Sequence, residues 1–231
     1  MKAFCIGDIH GSYKALVQCF ERSRFDYKKD RLIVLGDVCD GYPQVKECFV
    51  ELLKIKYLRY IMGNHDLWAL DWARKGFDDR VWLDQGGYNT INSYKGGPMP
   101  AKHIALLEKA HPWVKLDNKL FVHGGFNPFE PIENQCLEML VWDRELLYNA
   151  KEKSVVNPNF RYDGYDEIFI GHTTTETFGT TQPLKMCNVW ALDTGAGWGG
   201  KLTIMDVDSK EYWQSDFSRD LYKNLREATI R

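Results

Sequence analysis

Three observations on the sequence predict an α/β fold. Short apolar runs, several rich in β-branched residues, alternate with segments whose apolar residues recur at helical spacing. The first of these runs follow the order strand, helix, strand, helix, strand, which implies parallel pairing through right-handed crossovers. Five strand ends carry a glycine beside polar, metal-competent side chains.

Ala3–Ile6 reads as the first strand, ending at Gly7-Asp8-Ile9-His10-Gly11. Ser12 then stands as a helix N-cap ahead of Ala15, Leu16, Cys19 and Phe20. The second strand, residues 32–35, is short, apolar and stopped by glycine, so it delivers the turn Gly36-Asp37-Val38-Cys39-Asp40-Gly41. Val45, Cys48, Phe49, Leu52 and Leu53 mark a second helix. Residues 58–62 form a third strand that ends at Gly63-Asn64-His65-Asp66. From Leu67 to about residue 95 the pattern is helical and rich in tryptophan, then breaks at Gly96-Gly97-Pro98. With a helix over 104–110, this makes a cap-like helical segment of about 67–110. Trp113–Leu116 and 120–122 form a hairpin around Asp117-Asn118, and the second of these strands ends at His123-Gly124-Gly125. Residues 136–147 are helical, 168–170 end at Gly171-His172, and 189–192 end at Asp193-Thr194-Gly195. A hairpin of 202–207 with 211–214 follows, and Phe217, Leu221, Leu225 and Ile230 stripe a final helix.

At 231 residues the chain is read as a single domain, 1–231, with no repeat or linker. A chain of this size buries roughly 70–75% of its unfolded surface, so it needs no staple. The net charge of −2 is spread along the chain with no basic arm, which argues against an obligatory nucleic-acid partner. The six cysteines show no CxxC pair, and several lie in apolar runs. They are expected to be reduced thiols in a cytoplasmic protein. Met1-Lys2 runs straight into the first strand, leaving no room for a signal peptide. No apolar stretch approaches the ~20 residues of a membrane span, so no membrane partner is expected. The oligomeric state is not legible.

The strand ends gather Asp8 with His10, Asp37 with Asp40, Asn64 with His65, then His123, then His172. Ligands of open α/β sheets bind at the carboxyl ends of strands, so these sites can converge on one crevice. Asp8 and His10 are two apart, which in extended chain turns both side chains the same way. Any one of these stretches alone reads as a surface turn. Four of the six histidines occupy strand ends. His103 and His111 lie in or near the 104–110 helix and are expected to be surface or satisfied core residues.

The stretches ending Gly7-Asp8-Ile9-His10-Gly11, Gly36-Asp37-Val38-Cys39-Asp40-Gly41 and Gly63-Asn64-His65-Asp66 resemble, in that order, the three signatures of the PPP-type (calcineurin-like) metallophosphatases. The likeness is greatest to the bacterial and phage-lambda type protein phosphatases and their diadenosine-tetraphosphatase relatives. It extends over nearly the whole chain. Trp82-Leu83-Asp84-Gln85-Gly86-Gly87 with Thr90 resembles the family's tryptophan-to-Gly-Gly segment, and Trp142-Asp143-Arg144-Glu145 its W-x-R-E. Phe169-Ile170-Gly171-His172-Thr173 resembles its FxGHT, and residues 192–203 its closing hairpin.

The resemblance implies a metallophosphoesterase β-sandwich of two mixed sheets flanked by helices, built around a dinuclear metal centre. Carried over, Asp8 and His10 hold the first metal, Asn64, His123 and His172 the second, and Asp37 bridges. Nitrogen and oxygen ligands suit Mn²⁺ first, with Fe or Zn²⁺ as alternatives. The implied activity is metal-dependent hydrolysis of phosphomonoesters by in-line attack of a metal-bridging hydroxide, as in a Ser/Thr and Tyr protein phosphatase. Its partner is then a phosphorylated protein or peptide, or a small phosphate ester. His65 is the expected proton donor, Asp40 its orienting carboxylate, and Arg144 the clamp on phosphate oxygens. Two rival readings remain: a dinucleoside polyphosphate hydrolase or phosphodiesterase on the same metals, and a non-catalytic phospho-ligand-binding protein.

One departure bears on the substrate. The family's second signature runs Asp-Arg-Gly, whereas this chain has Asp40-Gly41-Tyr42. Either Arg74, Lys75 or Arg80 reaches in to replace the arginine, or the substrate carries less charge at phosphorus. Trp68, Trp72, Trp82 and Tyr88 lie in the cap-like segment and are read as core more than as a stacking platform.

Overall fold

Alternation along the strands sorts side chains into three layers of core. In the computed structural model, which describes residues 1–76 and 79–223, β1 is Ala3–Ile6 and β2 is Arg31–Val34. Phe4, Ile6, Leu32 and Val34 face an outer helical layer, whereas Cys5 and Ile33 face inward. β2 pairs in parallel with β1 and with β3, Tyr57–Tyr60, as the strand–helix alternation predicts. On its other edge β1 pairs antiparallel with β9, Thr203–Asp206, which pairs with β10, Tyr212–Gln214.

The second sheet contains β4 (Trp113–Leu116), β5 (Lys119–Val122), β6 (Glu167–Ile170), β7 (Leu184–Met186) and β8 (Val189–Ala191). Its order is β4-β5-β6-β8-β7, against β10-β9-β1-β2-β3 in the first. The strands β5, β6 and β8 run parallel, and the outer pairs are antiparallel. Between the sheets Cys5, Ile33, Leu35, Ile61, Phe121, Phe169, Leu192, Met205 and Val207 form one buried core. Phe121 and Phe169 stack there at 4.8 Å between ring centroids. Full burial of a side chain of this size contributes about 1.5–3 kcal/mol. The result is the sandwich of two mixed sheets that the resemblance implies.

Helices α1 (Tyr13–Ser23), α2 (Val45–Leu52) and α3 (Asn64–Lys75) cover the first sheet. After α3 come α4 (Arg80–Trp82), a kinked stretch at Leu83–Gly87, α5 (Tyr88–Ser93) and α6 (Ala101–Glu108). Helices α7 (Leu137–Trp142) and α8 (Glu145–Val156) pack Leu140, Leu146, Leu147 and Ala150 against the second sheet. A short α9 covers Ser218–Leu221. Among the described residues no helix is long and apolar enough to cross a membrane. The six cysteines are unpaired, four of them buried.

Several sequence expectations are corrected. Ser12 precedes α1 but makes no side-chain cap; its hydroxyl donates to Ser218 Oγ at 2.9 Å. The single helix expected over 136–147 is two, because Asp143 takes extended backbone and accepts the Leu146 N–H at 3.1 Å, which starts α8 afresh. Strand β7 carried no alternation long enough to read. Leu225 and Ile230 of the expected terminal stripe lie outside the described residues. The two histidines away from the strand ends fall as expected, His103 in the core with Nδ1 at 2.9 Å from the Tyr94 hydroxyl and His111 exposed.

Candidate metal centre and active site

The residues that follow β1, β2, β3, β5 and β6 meet in one buried cluster. Ile9 and His10 both donate their amides to the Asp37 carbonyl, at 3.0 and 2.9 Å, and Gly171 donates to the His123 carbonyl at 2.8 Å. His10, Asp37, Asp40 and His172 all take left-handed backbone, with φ of 47, 50, 71 and 61°. That conformation costs about 1–2 kcal/mol for a residue with a Cβ and persists where surrounding contacts over-determine it.

Asp37 is the shared member of the cluster. Its Oδ2 lies 3.7 Å from His10 Nε2 and 3.3 Å from His123 Nε2. Two groups form around it, His10–Asp37–His65 and Asp37–His123–His172, each with candidate ligand atoms within 4.8 Å of one another. Asp8 belongs to neither group; its carboxylate accepts the His172 N–H at 3.2 and 3.0 Å. Asn64 Oδ1 lies 3.0 Å from His123 Nε2.

The chemistry of the donors fits a cation pair. A carbonyl only accepts, so the 2.9 Å contact of His10 Nδ1 with the Cys39 carbonyl and the 2.7 Å contact of His123 Nδ1 with that of Leu35 put the protons on Nδ1. Each Nε2 is thereby turned into the cluster with its lone pair available. At His123 that lone pair faces the oxygens of Asp37 and Asn64, an arrangement that repels itself unless a cation sits among the three. Without metal a proton serves: burial opposes charge on His123, but Asp37 outweighs it and raises the imidazole above its ordinary value. His172 Nε2 is buried with no hydrogen-bond partner, and burial followed by repulsion from His123 pushes its pKa down to about 2. Burial and then His65 push His10 down to about 4. Burial, then Asp193 and Asp37, push the Asp8 carboxyl well above its usual range. The neutral imidazoles of His10 and His172 beside mutually repelling carboxylates are the electrostatic shape of a divalent cation site.

His65 sits beside this cluster with Nδ1 at 2.7 Å from Asp40 Oδ2. Burial acts against its charge, but Asp37 and the Asp40 hydrogen bond raise its pKa above the ordinary value. Arg144 anchors Nη1 on the His172 carbonyl at 3.1 Å and on Thr173 Oγ1 at 3.2 Å, with its exposed guanidinium at the site edge. Trp142 and Trp198 stand exposed at the rim, with ring centroids 5.8 Å from His172 and 6.4 Å from His10.

The proposed stand-ins for the missing arginine go elsewhere. Arg74 is ion-paired with Glu108 at 2.6 Å, Lys75 with Asp71 at 2.8 Å, and exposed Arg80 lies 3.8 Å from Asp84. Among the described contacts none of the three touches the cluster. Nor does Gly41 offer a simple place for arginine. It has φ 67°, and a Cβ there would lie 2.7 Å from His10 Cβ.

Sequence reading assigned no role to two buried carboxylates. Asp66 accepts the N–H groups of Asp37, Val38, Cys39 and Gly63, and so fixes the turn that carries Asp37. Asp193 follows β8, accepts the Gly195 N–H at 3.0 Å, and is raised to about 6 by burial. Asp193 had a visible signal, since it too ends a strand beside a glycine-bearing turn. Trp82, read as core, is buried but also bonds Asp40 through Nε1.

Comparison with known proteins gives a consistent picture. A family model described as calcineurin-like phosphoesterase matches residues 1–187. The chain is 27% identical to serine/threonine-protein phosphatase 1 of Salmonella typhimurium, over 87% of this chain and 90% of that protein. It is 26% identical to the symmetrical bis(5'-nucleosyl)-tetraphosphatase of Chromohalobacter salexigens, over 92% and 97%. Among solved structures, a metallophosphoesterase from Sphaerobacter thermophilus shares the fold, with a TM-score of 0.61, 17% identity and coverage of 99% and 95%.

Proposed function

This chain belongs to the calcineurin-like phosphoesterase family and is a hydrolase of phosphoric esters, and from that premise we propose that its substrate is a phosphomonoester on a protein or peptide Ser, Thr or Tyr side chain. The observation that carries this reading is the 2.7 Å contact between His65 Nδ1 and Asp40 Oδ2. An alkoxide needs a proton as it leaves, whereas a phosphate released from an anhydride is a far weaker base. A carboxylate-oriented histidine is worth roughly 10²–10⁴ in rate where the leaving group needs that proton. Asp40 accepts a hydrogen bond from Nδ1–H and holds the ring, which leaves Nε2–H to protonate the departing oxygen. Arg144 has N–H groups left over from its two anchoring bonds to hold non-bridging phosphate oxygens.

Asp8, His10 and Asp37 would hold one divalent cation, and Asp37, Asn64, His123 and His172 a second. Mn²⁺ suits this set, as do Fe and Zn²⁺. When bound, the cations supply Lewis-acid activation of the phosphoryl group and of water. The unpaired cysteines suit a reducing compartment, the cytoplasm.

Gly41 favours a second reading. Without a guanidinium there a monoester dianion lacks one charge-assisted hydrogen bond, worth about 1.5–3 kcal/mol, and a less charged phosphorus in a dinucleoside polyphosphate or diester loses less. Relatives of this chain carry names of both kinds. Measuring kcat/KM with added Mn²⁺ on a phosphoserine peptide and on diadenosine tetraphosphate separates the two. The monoester reading expects the peptide to be preferred and His65→Asn to lower its kcat by roughly 10²–10⁴. Preference for the tetraphosphate, or full peptide turnover by His65→Asn, selects the second reading.

A further inference from the structure

We propose that the segment from Asp79 to Ser93 is a strut for the active site, in which Trp82 and Thr90 position Asp40 and, through it, His65. The proposal rests on the reading of His65 as proton donor. Asp40 is fully buried and accepts three side-chain hydrogen bonds, only one of them from His65. Trp82 Nε1–H donates to Oδ2 at 2.8 Å, on the same oxygen that takes His65 Nδ1–H. The Thr90 hydroxyl donates to Oδ1 at 2.6 Å and accepts the Asp40 backbone N–H at 2.9 Å. One hydroxyl thus ties down both the main chain and the carboxylate of a residue in left-handed conformation. The indole N–H fixes which oxygen faces the histidine.

The backbone of the segment is shaped for this contact. At the kink between α4 and α5 Gln85 and Gly86 leave helical geometry, with Gly86 at φ 104°. A Cβ on Gly86 would lie 2.7 Å from the Gly41 nitrogen, so only glycine lets the turn lie on Asp40–Gly41. Asn89 Nδ2 donates to the Gly41 carbonyl at 2.6 Å, a third tie between the segment and this loop. Packing alone would account for the Trp82 ring, which lies 6.1 Å from that of Trp72. It does not account for two polar hydrogens aimed at one buried carboxylate. A carboxylate held by such outer partners keeps its histidine in one orientation, and small misplacements of an acid are costly in rate.

The test uses variants that each remove one hydrogen-bond donor, and leaving groups of different basicity. In the Mn²⁺-loaded enzyme, Trp82→Phe and Thr90→Val should each lower the ratio of kcat on phenyl phosphate to kcat on 2,4-dinitrophenyl phosphate by roughly tenfold, because only phenoxide needs the acid. KM and metal stoichiometry should hold, and Thr90→Ser should restore the ratio. In the metal-free protein, the low-field Nδ1–H resonance of His65, assigned with His65→Asn, should move in Trp82→Phe and Thr90→Val but not in Thr90→Ser. An unchanged ratio, or an unmoved resonance, overturns the proposal. If the wild type hydrolyses neither ester the phosphoesterase reading fails, and the resonance alone then decides the positioning.

Discussion

Asp66→Ala removes the acceptor of four backbone amides. Its Oδ1 takes the N–H of Val38 at 3.1 Å and of Cys39 at 3.2 Å, and its Oδ2 takes those of Asp37 at 2.8 Å and Gly63 at 3.2 Å. Hydrogen bonds to a charged acceptor contribute about 1.5–3 kcal/mol each, so the four together contribute roughly 6–12 kcal/mol. Burial and the charge of Asp37 raise the Asp66 carboxyl to about 6, so the carboxylate is held against a desolvation cost and the low end of that range is the working figure. Even half of that low end, about 3 kcal/mol, is a large loss for one substitution. In a chain of this length each kcal/mol moves Tm by about 2–4 °C, so the midpoint should fall by at least about 6 °C. Melting followed by circular dichroism in chelator at neutral pH measures it. Because the Asp37 amide is among those released, Mn²⁺ affinity should fall with it. A midpoint within about 2 °C of wild type would refute the reasoning.

Two further outcomes follow from the same geometry. Gly41→Arg, which restores the family's arginine in sequence, should lower metal stoichiometry without raising the monoester-to-diester rate ratio, since its Cβ meets His10 Cβ at 2.7 Å; a raised ratio with full metal content would contradict this. In the metal-free chain, NMR titration should place His65 above its ordinary 6.5, the Asp37 and Asp40 carboxylates outweighing its burial. Its charge then stabilises the fold below 6.5 and that contribution is lost as pH rises through the folded value, so Asp40→Asn should move the titration to lower pH.

The parts of the molecule legible in sequence were those written in local pattern. Alternation and glycine stops located β1, β2 and the hairpin of β4 with β5, and placed Asp8, His10, Asp37, His123 and His172 at strand ends. What stayed hidden depends on contacts between distant residues. Asp66 binds amides up to 29 positions away, and Trp82 reaches Asp40 across 42, with no periodicity to announce either. The break between α7 and α8 turns on one carboxylate capping a new helix, a signal easily overrun by the apolar stripe around it. Arg74 had the right charge in the right segment, yet Glu108 on α6 holds it.

Metal counting tests the shared role of Asp37 most directly. Titrating Mn²⁺ into chelator-treated protein, with bound metal read by elemental analysis, should give two ions per wild-type chain, one for His172→Ala and none for Asp37→Ala. A wild type that takes up no ion, or an Asp37→Ala variant that binds as many as wild type, would contradict a bridging carboxylate at the centre of the site.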